Sequence, residues 1–175
     1  MALIDKTYFQ KRITAIPNLK DEVLQDLNDH ISLYEHDYLN NVLGVDLKND
    51  FETGISLPTP AEKWTKLRDG AEFEYEDIKY KWSGFNNIIK DSPIAYYIMY
   101  WFVRNNNTSF TGIGAVTSNS ENSTRIDPRR ILVDNWNSMV KHNDILEKFL
   151  KANESDYSNY EPLDTLTEII NVYGI

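Results

Sequence analysis

Cysteine is missing from the chain. That excludes a disulfide framework and thiolate catalysis, and it fits a reducing compartment. Histidine is scarce: His30, His36 and His142 are the only three. No two of them stand four residues apart, the spacing that puts two ligands on one helix face, and no HExxH run occurs. The expectation is no metal site, with the histidines on helix surfaces. Long apolar runs are also missing. The longest, Ile94 to Val103, is about half the roughly 20 residues that a membrane-spanning helix needs. The opening Met1-Ala2-Leu3-Ile4-Asp5-Lys6 becomes charged too soon for a secretory signal. A soluble protein, intracellular when made and without a membrane partner, is expected.

Positive charge is in deficit. Lys and Arg number 18 against 27 Asp and Glu, for a formal charge of −9. Such a chain repels phosphate, which argues against sequence-specific nucleic-acid binding. After Lys151 there is no basic residue, while Glu154, Asp156, Glu161, Asp164 and Glu168 are acidic. The opposite bias sits at Arg125, Arg129 and Arg130. Two readings stay open: acidic tail steered toward the basic patch of a neighbouring subunit, or a pair of solvated faces.

Motifs of catalysis are missing as well. No G-x-S-x-G elbow occurs. Gly112-Ile113-Gly114 lacks a third glycine, follows no strand signal and opens no helix, so a phosphate cradle is not expected there. Glycine there gives a loop freedom to take up conformations set by a partner. Asp26 with Asp29, and Glu74 with Glu76, could in principle do acid–base work, but helix-face and hairpin-edge solvation explain both pairs. The reading is of a protein without enzymatic activity or cofactor.

The chain does carry periodicity and aromatic mass. At 175 residues it is most simply one domain, large enough to bury roughly 70% of its unfolded surface. From Lys20 to Leu43, Leu24, Leu27, Ile31, Tyr34, Tyr38 and Val42 recur at steps of three and four, which predicts an amphipathic helix with Asn18 as cap and Gly44 as stop. Short helices are predicted over Asp46–Glu52, ended by Gly54 and Pro58-Thr59-Pro60, and over Ala61–Leu67, closed by Asp69-Gly70. The period then becomes two. Glu72 to Glu76 and Ile78 to Trp82 alternate polar with aromatic or apolar residues about Glu76-Asp77, a β-hairpin with an acidic strand facing a basic one. Cross-strand charge pairs are expected between them. Ser92 and Pro93 predict the cap and first position of a helix buried on nearly all sides, ending at Asn105 to Asn107. Asp127-Pro128 opens a further helix to about Lys151, and Leu163–Val172 predicts a short last one. Thr7-Tyr8-Phe9 is expected to dock the N-terminal arm.

Between the helices at 92 and 127 lies a polar excursion, 105–127, rich in Asn, Thr, Ser and Gly. It has few apolar side chains with which to hold itself, and loops of that length are commonly functional. Four tryptophans and eleven tyrosines fill the rest. Most belong in a core, but Tyr157 and Tyr160 fall outside the periodic stripes. The residues expected at subunit contacts are therefore Thr111, Gly112, Ile113, Gly114, Arg125, Arg129, Arg130, Tyr157 and Tyr160. The expected fold is mainly α: a helical bundle at 1–152 with an inserted hairpin near 72–82, the long polar loop 105–127, and an extended C-terminal arm at 153–175.

Five stretches together carry a resemblance. They are Tyr34-Glu35-His36-Asp37-Tyr38-Leu39-Asn40-Asn41-Val42-Leu43-Gly44, Lys63-Trp64-Thr65-Lys66-Leu67-Arg68-Asp69-Gly70, the hairpin ending Trp82-Ser83-Gly84-Phe85, Ser92-Pro93-Ile94-Ala95-Tyr96-Tyr97, and Trp136-Asn137-Ser138-Met139-Val140. Over roughly residues 30 to 142 the chain resembles head-to-tail connector proteins, the adaptor or neck-ring proteins of tailed bacteriophages, especially phages of Bacteroides-like hosts. The resemblance implies a structural virion protein that forms a homo-oligomeric ring, commonly a dodecamer, at the head–tail junction. It implies the portal protein and other neck or tail proteins as partners, with packaged DNA passing through the ring without specific binding. Its location would be the host cytoplasm during assembly and then the virion. The resemblance brings no catalytic residues. The hairpin departs from the plainest helical connectors. Two other readings are a soluble acidic binding or inhibitor protein that mimics DNA charge, and a hydrolase centred near Glu35 or Asp37.

Overall fold

The computed structural model describes residues 2–10, 14, 16, 21–106, 128–161 and 166–171, and the main chain alone at 109–111 and 114–116. Five helices and two antiparallel hairpins follow in the order α1 (Asp21–Leu43), α2 (Val45–Ser56), α3 (Glu62–Asp69), β1 (Ala71–Tyr75), β2 (Ile78–Trp82), α4 (Pro93–Asn106), β3 (Ser109–Thr111), β4 (Gly114–Val116) and α5 (Pro128–Ala152). A 3-10 turn at Lys6–Phe9 precedes them. The mainly helical class with an inserted hairpin is as expected.

At the centre is α4, packed between α1 and α5. Every residue from Pro93 to Met99 is buried, and so is Phe102. This is why its apolar residues run without a break instead of recurring on one face: three sides need filling, not one. Each large side chain sealed in this way contributes roughly 1.5–3 kcal/mol. In α1 the stripe Leu27, Ile31, Tyr38, Leu39 and Val42 faces inward, and Asp21 and Glu22 lie at its positive end. Gly44 ends it with φ of 74°, a left-handed conformation that costs glycine least. Its N–H bonds the Asn40 carbonyl, and its own carbonyl accepts from Lys48 N–H. One residue thus closes α1 and opens α2.

The second helix is longer than the sequence suggests. It runs through Gly54 to Ser56 instead of stopping near Glu52. Gly54 is there for close approach, since a Cβ at that position would lie 2.1 Å from Trp64 Nε1 of α3. The Trp64 ring in turn meets Phe51 and Tyr157, at centroid distances of 6.1 and 6.0 Å.

The hairpin register pairs Ala71 with Trp82, Glu72 with Lys81, Phe73 with Tyr80, Glu74 with Lys79 and Tyr75 with Ile78. Glu76 and Asp77 both have positive φ, 52° and 61°, the requirement of a type I′ turn, whose twist matches the flanking strands. The aromatic face lies on α5, where Phe149 meets Phe73 at 5.4 Å and Trp82 at 6.5 Å. Trp82 is fully buried and donates its indole N–H to the Leu67 carbonyl at 2.9 Å. The opposite face presents Glu72, Glu74, Lys79 and Lys81 to solvent. The expected charge pairs stand in register, but no ion contact within 4.0 Å joins them among the described residues.

Three expectations need correction. Residues 166–171 are not helical. They lie along α5, where Asn143 Nδ2 donates to Leu166 O, Trp136 Nε1 to Glu168 O, and Asn137 bonds both main-chain groups of Ile170. Side chains of α5 satisfy the tail's main chain, which removes the need for internal helical bonds. Ser92 caps α4 through its carbonyl, which accepts from Tyr96 N–H at 3.3 Å. Its hydroxyl is fully buried and meets no partner among the described residues. The excursion after α4 is not loop throughout, since β3 and β4 pair within it. Asn18 and Asp127, expected as helix caps, lie outside the described residues.

Two outcomes follow from this packing. Gly54→Ala should lower stability by about 2 kcal/mol in denaturant unfolding, although alanine is the better helix former by about 1 kcal/mol. An unchanged midpoint would mean that α3 can slide outward. Replacing Glu76-Asp77 by Asn-Gly should instead raise stability by about 1 kcal/mol, because both positions then suit positive φ. A lower thermal midpoint would show that the two carboxylates make contacts worth more than the turn strain.

Candidate functional site

The surfaces that could carry function cluster where α4 ends and where its neighbours fasten it. The last turn of α4 is tied to α1 by asparagines: Asn105 Nδ2 donates to Tyr34 Oη at 2.9 Å and faces His30 Nε2 at 3.3 Å, and Asn106 Nδ2 donates to Asp26 Oδ2 at 2.7 Å. Tyr34 stacks on Trp101 at 5.3 Å, and the Arg104 guanidinium covers the same indole at 4.9 Å. Deeper in, Tyr97 donates to Asp37 Oδ2 and Tyr38 to Asn143 Oδ1, each at 2.5 Å. Burial pushes both phenols up, Tyr97 with help from the Asp37 carboxylate. They therefore act as fixed donors joining helices. The polar excursion accordingly leaves from a root fastened to α1 by hydrogen bonds.

Beyond that root the ribbon of β3 and β4 pairs Ser109 with Val116, Phe110 with Ala115 and Thr111 with Gly114. No helix of the body is a comparable neighbour to it among the described residues. Thr111 and Gly114 are thus opposite one another at the ribbon's end. Gly112, Ile113 and Arg125 lie outside the described residues. Arg129 and Arg130 are exposed in the first turn of α5, with Arg130 Nε 3.8 Å from Asp134 Oδ2.

Tyr157 is not a surface residue, contrary to the sequence reading. It is 2% exposed. The turn after α5 folds it back against Trp64 and Phe149, where its hydroxyl donates to Lys63 O at 2.7 Å. Tyr160 is partly buried against the same core. Both lie off the helical stripes because a turn, not a helix, returns them inward, and no periodicity marks such a return.

Two clusters invite a chemical reading. Asp91 accepts from Tyr96 Oη at 2.5 Å and stands 3.4 Å from His142 Nε2. Ser92 is the adjacent residue, but its hydroxyl is sealed from solvent, so a substrate has no path to it. Glu35 is the second. It is 8% exposed and uses both carboxylate oxygens on the N-terminal arm, accepting from Leu3 N–H at 2.9 and 3.1 Å and from Ile4 N–H at 3.2 Å. Burial pushes its carboxyl above the usual range, and the two main-chain donors oppose that rise. The geometry makes Glu35 a fastener that seats Leu3 and Ile4 in the core. An open groove of about 780 Å³ passes beside the arm, lined in part by Leu3, Arg68, Asp69 and Trp82, with Ile88 at its rim 97% exposed. The sequence signal for Glu35 was a charged residue on the apolar stripe of α1. Nothing in the sequence pointed to the asparagine ties or to the tail's seat on α5.

Glu35 generates a pH prediction. Its folded pKa lies above the ordinary 4.5, so its stabilising contribution is full below that value and declines as pH rises through the folded pKa. The stability of the wild type relative to Glu35→Gln should therefore fall between about pH 4 and neutrality, measured by denaturant unfolding at each pH. A difference that grows with pH would mean that the Leu3 and Ile4 donors outweigh burial.

No curated protein and no solved structure matches the chain. A family model matches residues 17–168, and the chain accordingly belongs to DUF6712, a family of unknown function.

Proposed function

We propose that this protein is a structural component of a tailed-phage virion, assembling as a ring at the head–tail junction between portal and tail and extending the DNA channel. It works by fitting against copies of itself and against neck or tail proteins. The reading rests on the resemblance over residues 30 to 142, and one observation carries it furthest: among the described residues β3 and β4 find strand partners only in each other, beyond a root that the asparagine ties fasten to α1. A ribbon of that kind gains partners when each contact is repeated around a symmetry axis. The formal charge of −9 suits a channel wall that lets DNA pass, because basic side chains are what hold phosphate. Fastened arms at both ends leave the body rigid, as a stacking ring requires.

The test is imaging of the purified protein and of the particle. Rings with a central opening, found at the neck of the virion, are the expected result. A strict monomer at every concentration, forming a one-to-one complex with a basic protein, would replace this reading with that of a charge-mimicking binder.

A further inference from the structure

We propose that the two open edges of the β1–β2 hairpin form a head-to-tail joint between copies of this chain, with the β1 edge of one copy pairing with the β2 edge of the next. Among the described residues the sheet has two strands, so each strand has one edge without a strand partner there. The turn decides which groups are open. A two-residue type I′ turn makes Tyr75 and Ile78 a hydrogen-bonded pair, and such pairs alternate along an antiparallel ladder. Phe73 with Tyr80 and Ala71 with Trp82 therefore also bond inward. The outward N–H and C=O groups belong to Glu72 and Glu74 on β1, and to Lys79 and Lys81 on β2.

Those four residues also carry all the exposed charges of the two strands, Glu76 and Asp77 lying in the turn between them, and none of the four is used in an ion contact among the described residues. Each edge thus has a single sign. Pairing β1 with β1 would set glutamate beside glutamate, and pairing β2 with β2 would set lysine beside lysine; both are unfavourable. Pairing β1 with β2 sets every glutamate beside a lysine and continues the charge columns already present within one hairpin. Charge on an edge strand commonly blocks aggregation. Here it blocks like-with-like, twofold pairing and leaves open the unlike, heterologous kind, which closes into rings or extends as filaments. Neither strand contains proline or a bulge, so all four outward N–H groups can donate. Ile78, 54% exposed at the hairpin's end, adds apolar contact.

The occupant of each edge is a second copy of this chain. This deepens the ring reading and rests on it only for the existence of self-association. The test is a charge exchange read by sedimentation and light scattering. E72K/E74K alone and K79E/K81E alone should each lose self-association by on the order of tenfold or more. An equimolar mixture of the two should regain it, because the lysine-bearing β1 of one meets the glutamate-bearing β2 of the other. The quadruple exchange should associate like the wild type, and it also keeps opposite charges in register within its own hairpin, so it covers the case in which a double variant folds poorly. In the assembled wild type, amide exchange should slow at Glu72, Glu74, Lys79 and Lys81. Double variants that assemble like the wild type, or a mixture that regains nothing, would overturn the joint and leave the ring reading standing. A wild type that never self-associates would overturn both.

Discussion

The structure depends on burying one helix from three sides. Helix α4 carries Ile94, Ala95, Tyr96, Tyr97, Ile98 and Met99 in succession, and all are enclosed. Water cannot be kept from such a helix by one partner, so α1 and α5 must both be long and must both turn their apolar stripes inward. The remaining elements complete the enclosure. Phe9 and Tyr8 are buried in the N-terminal arm that contacts α4, and Trp82 and Phe85 fill the space beside Phe149 of α5 and Tyr38 of α1. The cost of this arrangement is polar atoms taken inside, and their satisfaction determines much of the detail. Tyr38 finds Asn143, Tyr97 finds Asp37, and Glu35 finds the arm's main chain.

These contacts and others nearer the surface share a feature. Each joins parts of the chain far apart in sequence, and several use asparagine. Asn105 and Asn106 fasten α4 to α1, and Asn137 and Asn143 fasten the tail to α5. The asparagine amide offers donors and an acceptor without a charge to desolvate. In an acidic chain this lets helices and arms be pinned without adding to electrostatic repulsion. Apart from a few such as Glu35 and Lys48, which are buried, the described formal charges are left nearer the outer faces, and the hairpin's strands sort theirs by sign into two edges. Pinned arms and one-signed edges suit the assembling role proposed for this chain.

How much was legible beforehand varied with the kind of signal. The helix ending at Gly44, the hairpin turning at Glu76-Asp77 and the enclosed helix after Pro93 were all read from periodicity and turn residues, because each is a local consequence of local sequence. Gly54 was misread as a stop because a glycine that serves close approach looks like a glycine that ends a helix. Only the position of Trp64 tells them apart. Tyr157 was misread as surface because the turn that brings it inward leaves no period. Residues 166–171 resembled a helix in their apolar spacing, but α5 offered their main chain better partners than they could offer one another. Of the residues expected at subunit contacts, Arg129 and Arg130 are exposed, Tyr157 is not, and the position of Arg125 lies outside the described residues.

The sequence by itself determined the helical segments up to α5, where the hairpin turns and that the hairpin's strands differ in charge, since hydrophobic period, glycine conformation and charge are properties of neighbouring residues. Only the tertiary structure decided which edges stay open, which carboxylate is buried, and where the tail and Tyr157 come to rest. Those outcomes turn on competition among distant partners for the same buried surface and the same hydrogen bonds, and the contest is resolved only when all the elements are packed at once.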